Sequence, residues 1–123
     1  MSFVNTTFLN NLGSADRAVA DSQDHGVVQV DKQGHVLMYN KYQSELAGVD
    51  PSTAEGRSFF TQIAPCTNNR LFFGKFKDGV AAGKLDEAFK YTFTFKMKPT
   101  AVEIHMVHDE PSDTNWVFVK KAA

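Results

Sequence analysis

Phe89-Lys90-Tyr91-Thr92-Phe93-Thr94-Phe95-Lys96-Met97 alternates without a break. Phe89, Tyr91, Phe93, Phe95 and Met97 share one side of an extended chain, and Lys90, Thr92, Thr94 and Lys96 the other. A period of two marks a β-strand with one buried face. Lys98-Pro99-Thr100 turns it, because proline fixes φ and lacks the N–H that a ladder needs. Val102, Ile104 and Met106 then alternate with Glu103 and His105 in a second strand. Pro111-Ser112-Asp113-Thr114 reads as another turn and residues 116–119 as a final strand.

Upstream of Phe89 the period changes. Asn68 or Asn69 can start a helix in which Phe72, Phe73, Phe76 and Val80 fall on one face, with Gly83 ending it. Gly74 and Gly79 each weaken it by about 1 kcal/mol relative to alanine. Packing must offset that, or Gly74 marks a close approach to another element. Ser58 can cap a turn that buries Phe60 and Ile63, and Asp50-Pro51 starts a helix that Gly56 interrupts. Asn40 can cap a helix through Leu46, which Gly48 closes. Residues 26–31 and 35–39 are strands joined by the turn Lys32-Gln33-Gly34, a hairpin. In residues 1–25, Leu9, Leu12, Ala15 and Val19 have loose helical spacing, and Ser14 could cap a second short helix. The order is strand, strand, helices, strand, strand, strand. This predicts an α+β domain: a five-stranded antiparallel sheet covered by helices on one side, with 1–25 as an N-terminal helical cap and 26–123 as the core.

Thirteen basic and fourteen acidic residues give a net charge of −1, without the clustered basic face that nucleic acid requires. No apolar run reaches the roughly 18 residues of a membrane span. No basic stretch followed by an apolar one opens the chain, so no secretory leader is expected. The aromatic residues are mostly phenylalanine, eleven against one Trp and three Tyr, and most are expected in the core. The four histidines form no obvious site; His105 and His108, three apart in a strand, should point to opposite faces. No glycine-rich phosphate loop is present.

The single cysteine, Cys66, lies in Ala64-Pro65-Cys66-Thr67. One cysteine makes no intramolecular disulfide and no four-ligand zinc site. Pro65 places it on a stiff turn. A free thiol suits a reducing compartment, so a cytoplasmic protein, acting as a monomer, is expected. By itself such a cysteine is most often a small buried hydrophobe.

The surrounding motifs add more. Phe59-Phe60-Thr61-Gln62-Ile63-Ala64-Pro65-Cys66-Thr67 is followed by Phe73-Gly74-Lys75-Phe76-Lys77-Asp78-Gly79-Val80-Ala81. Then come Tyr91-Thr92-Phe93, Met97-Lys98-Pro99-Thr100 and Trp116-Val117-Phe118-Val119-Lys120. In this order and spacing they resemble the photoactive yellow proteins, from about residue 26 to residue 121. The resemblance implies a PAS-type fold and a blue-light photoreceptor. It also implies a 4-hydroxycinnamic acid (p-coumaric acid) group, thioester-linked to Cys66, isomerising trans to cis and reversibly protonated at its phenolate to give a signalling state.

Residue by residue, Tyr39 and Gln43 match the family's tyrosine and glutamic acid, which donate hydrogen bonds to the phenolate. Glutamine replaces the acid, so no carboxyl proton is available there. Ala47 and Val49 stand where the family has a threonine behind the tyrosine and an arginine over the pocket. The implied wall is Phe59, Ile63, Ala64, Thr67, Tyr91, Phe93, Phe95 and Met97. Phe93 would pack on the ring, Met97 would help it relax, and the Cys66 N–H would bond the thioester carbonyl. Two other readings stay open: a chromophore-free PAS-like binding module, and a thiol enzyme with Cys66 as nucleophile. For the latter, no histidine lies close in sequence to act as base. The downstream signalling partner is not legible.

Overall fold

The computed structural model of the chain describes residues 3–94 and 98–122. Five antiparallel strands make one sheet: β1 (Gly26–Val30), β2 (Val36–Tyr39), β3 (Asp86–Phe93), β4 (Thr100–Asp109) and β5 (Thr114–Lys121), in the spatial order β2-β1-β5-β4-β3. β5 lies between β1 and β4, pairing with β1 through Gly26↔Val119 to Val30↔Asn115 and with β4 through Val102↔Lys121 to Asp109↔Thr114. Between β2 and β3 run α3 (Lys41–Ala47), α4 (Pro51–Ala54), a π turn (Phe59–Ile63), a 3-10 turn (Pro65–Thr67), a second π turn (Arg70–Gly74) and α5 (Lys75–Ala82). Ahead of β1 lie α1 (Thr6–Leu9), a 3-10 turn (Leu12–Ser14) and α2 (Arg17–Asp21).

The expectation of helices on one side only is corrected. Elements between β2 and β3 cover one face, on which Val28, Val30, Tyr39, Ile104, Met106, Val117 and Val119 are buried. The N-terminal cap covers the other, packing Val4, Phe8, Leu12 and Ala20 against Val27, Met38, Val107, Trp116 and Phe118. The central strands are therefore apolar on both sides. Trp116-Val117-Phe118-Val119 shows this in its unbroken apolar run, the pattern of a strand buried on both faces.

Other local expectations move by a residue or two. Asp16, not Ser14, caps α2, its carboxylate accepting from Val19 N at 2.9 Å. Asn69 caps the long helical segment, but its first turn is π and only then α. Ser58 does cap its turn, and the wide π geometry buries two successive rings, Phe59 and Phe60, while Ile63 is half-buried. β3 begins earlier than the alternation, at Asp86, and ends at Phe93; Phe95 and Met97 lie outside the described residues. Asn40 caps α3 as expected, and Gly48 ends it with φ +70°, which favours glycine. β2 slips register after Gln29, leaving Leu37 exposed on an edge strand.

The close approach lies at Gly79, not Gly74. A Cβ on Gly79 would sit 2.7 Å from Leu85 Cδ1 and 3.0 Å from Leu85 Cα; on Gly74 it would meet nothing nearer than 3.5 Å. Gly79→Ala is expected to destabilise by about 1–3 kcal/mol through overpacking. Gly74→Ala should stabilise by up to about 1 kcal/mol through helix propensity. Urea midpoints in the reverse order would contradict this packing.

His25 sets a pH dependence. It is buried among the rings of Phe3, Phe8 and Phe118, with centroids at 5.4, 5.9 and 5.6 Å. Its Nδ1 bonds the Gly26 carbonyl at 3.0 Å and its Nε2 has no partner among the described residues. Burial holds its pKa below the ordinary 6.5, against the weaker pulls of the Gly26 carbonyl and Asp24 and with a small push from Lys120. The unfolded chain therefore binds a proton, as pH falls through about 6.5, that the folded one refuses, and stability is lost below that pH. His25→Phe should flatten the fall in urea midpoint between about pH 7.5 and about pH 5.5. Equal slopes in the two proteins would reject His25 as the group.

Candidate functional site

Two places on the helix-covered face of the sheet concern the site. The first is the β2–α3 junction. Tyr39 is the last residue of β2, opposite Val28, and is fully buried. Asn40 follows, also fully buried, and its side chain is saturated. Oδ1 accepts from Val27 N at 2.9 Å and Gln43 N at 3.1 Å; Nδ2 donates to Ala20 O at 2.8 Å and His25 O at 3.0 Å. This amide locks strand, helix and cap together and sets Gln43 one turn into α3, beside Tyr39.

Tyr39 Oη and Gln43 Oε1 are both buried and have no hydrogen-bond partner among the described residues. Burial pushes the Tyr39 phenol up to about 12, and the nearby Gln43 amide opposes the rise without closing a hydrogen bond of ordinary geometry. Leaving such a group unmatched costs about 1–3 kcal/mol. Gln43 Oε1 lies against Gly26, where a Cβ would overlap it, so β1 carries glycine at the point where the amide enters. Rotating the amide exchanges Oε1 for an N–H₂ donor. The pair thus offers a phenol O–H and, with the amide turned, an N–H at one buried place.

The second place is the cysteine turn. Cys66 is half-buried on the 3-10 turn and packs against the same core. The turn is fixed by its backbone: Tyr91 O–H donates to Cys66 O at 2.6 Å, and Asn69 Nδ2 donates to Cys66 O at 3.3 Å and to Tyr91 Oη at 2.5 Å. Thr67, fully buried, spends its hydroxyl on Ala64 O at 2.6 Å. The anchoring runs through the Cys66 carbonyl, and the thiol is free.

One apolar cluster joins Tyr39, Val49, Phe59, Ile63, Ala64, Cys66, Tyr91 and Phe93. Ala47, half-buried at the end of α3, does not join it. Val49 and Ala47 bring no charge to this end. Phe95 and Met97, expected in the wall, lie outside the described residues. Helical spacing marks Phe72 only as a helix-face residue. Its ring meets Phe59, Phe89, Tyr91 and Phe93 at 6.4, 5.2, 5.1 and 6.4 Å. The sequence marks Asn69 only as a possible helix start; its capping role is the signal, but its reach to Tyr91 crosses 22 positions. Among the described residues no cluster of His, Cys, Asp or Glu could hold a metal, and no helix is long and apolar enough to cross a membrane. His105 pairs with Asp86 and His108 with Asn115, so they share no site.

The PAS fold family matches residues 15–115. The chain is 44% identical over 96 residues to the photoactive yellow protein of Halochromatium salexigens, covering 78% of this chain and 77% of that one. To that of Rhodothalassium salexigens it is 39% identical over 112 residues, covering 91% and 90%. Among solved structures it resembles the photoactive yellow protein domain from the sensor histidine kinase Ppr of Rhodospirillum centenum, with TM-score 0.86, 40% identity and 92% and 99% of the two chains covered. The PAS domain of the Cronobacter turicensis RpfR quorum-sensing receptor, at TM-score 0.67 and 12% identity over 83% and 97% of the chains, shares the fold alone. A half-buried thiol on an anchored turn, a buried phenol–amide pair without an acceptor, and this likeness over most of the chain agree: the chain belongs to the photoactive yellow protein family, blue-light photoreceptors of PAS fold and not enzymes, which carry 4-hydroxycinnamic acid as a thioester on a cysteine, here Cys66.

Proposed function

We propose that Tyr39 O–H and the Gln43 amide hold the phenolate end of the chromophore and the Cys66 N–H its carbonyl end. Phe59, Ile63, Ala64, Thr67, Tyr91 and Phe93 form the wall. When bound, the group supplies visible absorption and light-driven trans–cis isomerisation. The observation that carries this reading is the pair of buried atoms without partners, Tyr39 Oη and Gln43 Oε1. A buried anion needs at least two aimed donors: Tyr39 O–H is one, and the Gln43 amide supplies the second once it is turned to bring Nε2 to the place of Oε1. Tyr39, pushed up to about 12, keeps its proton at neutral pH and stays a donor. Gln43 has no proton to give, so a proton that neutralised the phenolate after light would come from solvent, past Val49.

The test is direct. Purified chain incubated with an activated 4-hydroxycinnamic derivative should gain the mass of one acyl group and a visible band that bleaches under blue light. A protein that stays at its original mass, or an adduct with no band, would contradict the reading. The balanced charge and one free thiol support a cytoplasmic protein that binds neither nucleic acid nor membrane. The exposed large hydrophobics Val19, Leu37 and Leu71 lie on three different elements, which supports a monomer that signals to a separate partner.

A further inference from the structure

Tyr39 ends an edge strand. β1 pairs with β2 on one side, and among the described residues no strand lies on the other. The Tyr39 N–H and C=O both point to that open side, and exposed strand edges need covering. Here the cover is an ion pair. Glu55 Oε2 accepts from Tyr39 N at 3.2 Å, Arg17 Nη1 donates to Tyr39 O at 3.4 Å, and Arg17 Nη2 meets Glu55 Oε2 at 2.6 Å. A carboxylate and a guanidinium thus stand in for the C=O and N–H of a missing strand. Arg17 opens α2 in the cap, and Glu55 follows α4. The two side chains are 50% and 26% exposed, so the pair is no part of the apolar core.

We propose that Arg17 and Glu55 are positioning residues for the Tyr39 hydroxyl. They clip the backbone of the residue whose phenol lies beside Gln43, and through Arg17 they tie the N-terminal cap to that end of the site. The proposal rests on the reading of Tyr39 as a chromophore donor. The clip is separable from general cap docking, because the cap has two other ties to this junction: Asn40 Nδ2 to Ala20 O and His25 O, and Lys41 N to Asp21 Oδ1 at 2.7 Å. Losing the ion pair should therefore loosen Tyr39 without releasing the cap.

Two readouts test it. In the chromophore-free protein, Glu55→Ala and Arg17→Ala should each speed amide exchange at Tyr39, Glu55→Ala by about tenfold or more. Exchange at Val27 and at Val117 should stay unchanged. Glu55→Gln, which keeps an acceptor, should restore most of the protection. In the loaded protein, Glu55→Ala should move the dark-state band, and the same substitution in a Tyr39→Phe background should not. Unchanged Tyr39 exchange in both alanine variants, or a band shift equally large without the Tyr39 hydroxyl, would overturn the positioning role. A band unmoved by Tyr39→Phe alone would instead reject Tyr39 as a donor, while the exchange arm still decides whether the clip exists.

Discussion

Cys66→Ser is expected to yield a folded, colourless protein that takes up no activated 4-hydroxycinnamic acid. Folding should survive because the turn is held by groups the change does not touch: the Cys66 carbonyl, gripped by Tyr91 and Asn69, and Pro65 with Thr67 on either side. The residue is half-buried, so replacing sulfur by oxygen opens little space. Attachment should fail because the thiolate is the nucleophile, and a serine hydroxyl is almost wholly un-ionised near neutral pH. Serine would also leave an ester, which conjugates differently with the ring. Intact mass and a visible spectrum read both effects. A yellow Cys66→Ser protein with the full acyl mass gain would overturn the assignment of the linkage to this residue.

Gln43→Glu is expected to shift the dark-state band to the blue and to change where the proton comes from. The side chains have nearly the same shape, so the buried site beside Tyr39 and against Gly26 should accept the acid. Burial favours its neutral form. A neutral carboxyl donates O–H to an anion in a shorter, stronger bond than an amide N–H, by about 1 kcal/mol. Excitation is expected to move negative charge away from the phenolate, so the stronger bond should lower the ground state more and widen the gap. A red shift, or none, would count against Gln43 as a phenolate donor. After a flash, wild type should take up a proton from the medium, seen with a pH-indicator dye on the timescale of bleaching. Gln43→Glu should show less uptake, because the acid supplies the proton internally. It should also show the larger structural change, since the carboxylate left behind is buried and unpaired. Bleaching of wild type without bulk uptake would require an internal donor, with Tyr39 the first to examine.

Much of this protein is written in short-range pattern. The alternation through Phe89, Tyr91 and Phe93, the Asn40 cap one turn before Gln43, and the Pro65 turn at Cys66 are local. Each follows from the geometry of a strand, a helix start or a proline within a few residues. The site motifs were legible for the same reason. What the chain does not spell out is which strands meet. β5 enters between β1 and β4 only when residues more than 80 positions apart pair, as Gly26 does with Val119. That placement makes both faces of the sheet apolar and gives the cap its seat. It also creates contacts that no local period encodes: Tyr91 on the Cys66 carbonyl, Asn40 on Ala20 and His25, and Arg17 with Glu55 on the edge of β2. Backbone polar groups left open by one element must be satisfied by another, and the partner is whichever residue the sheet order brings within reach.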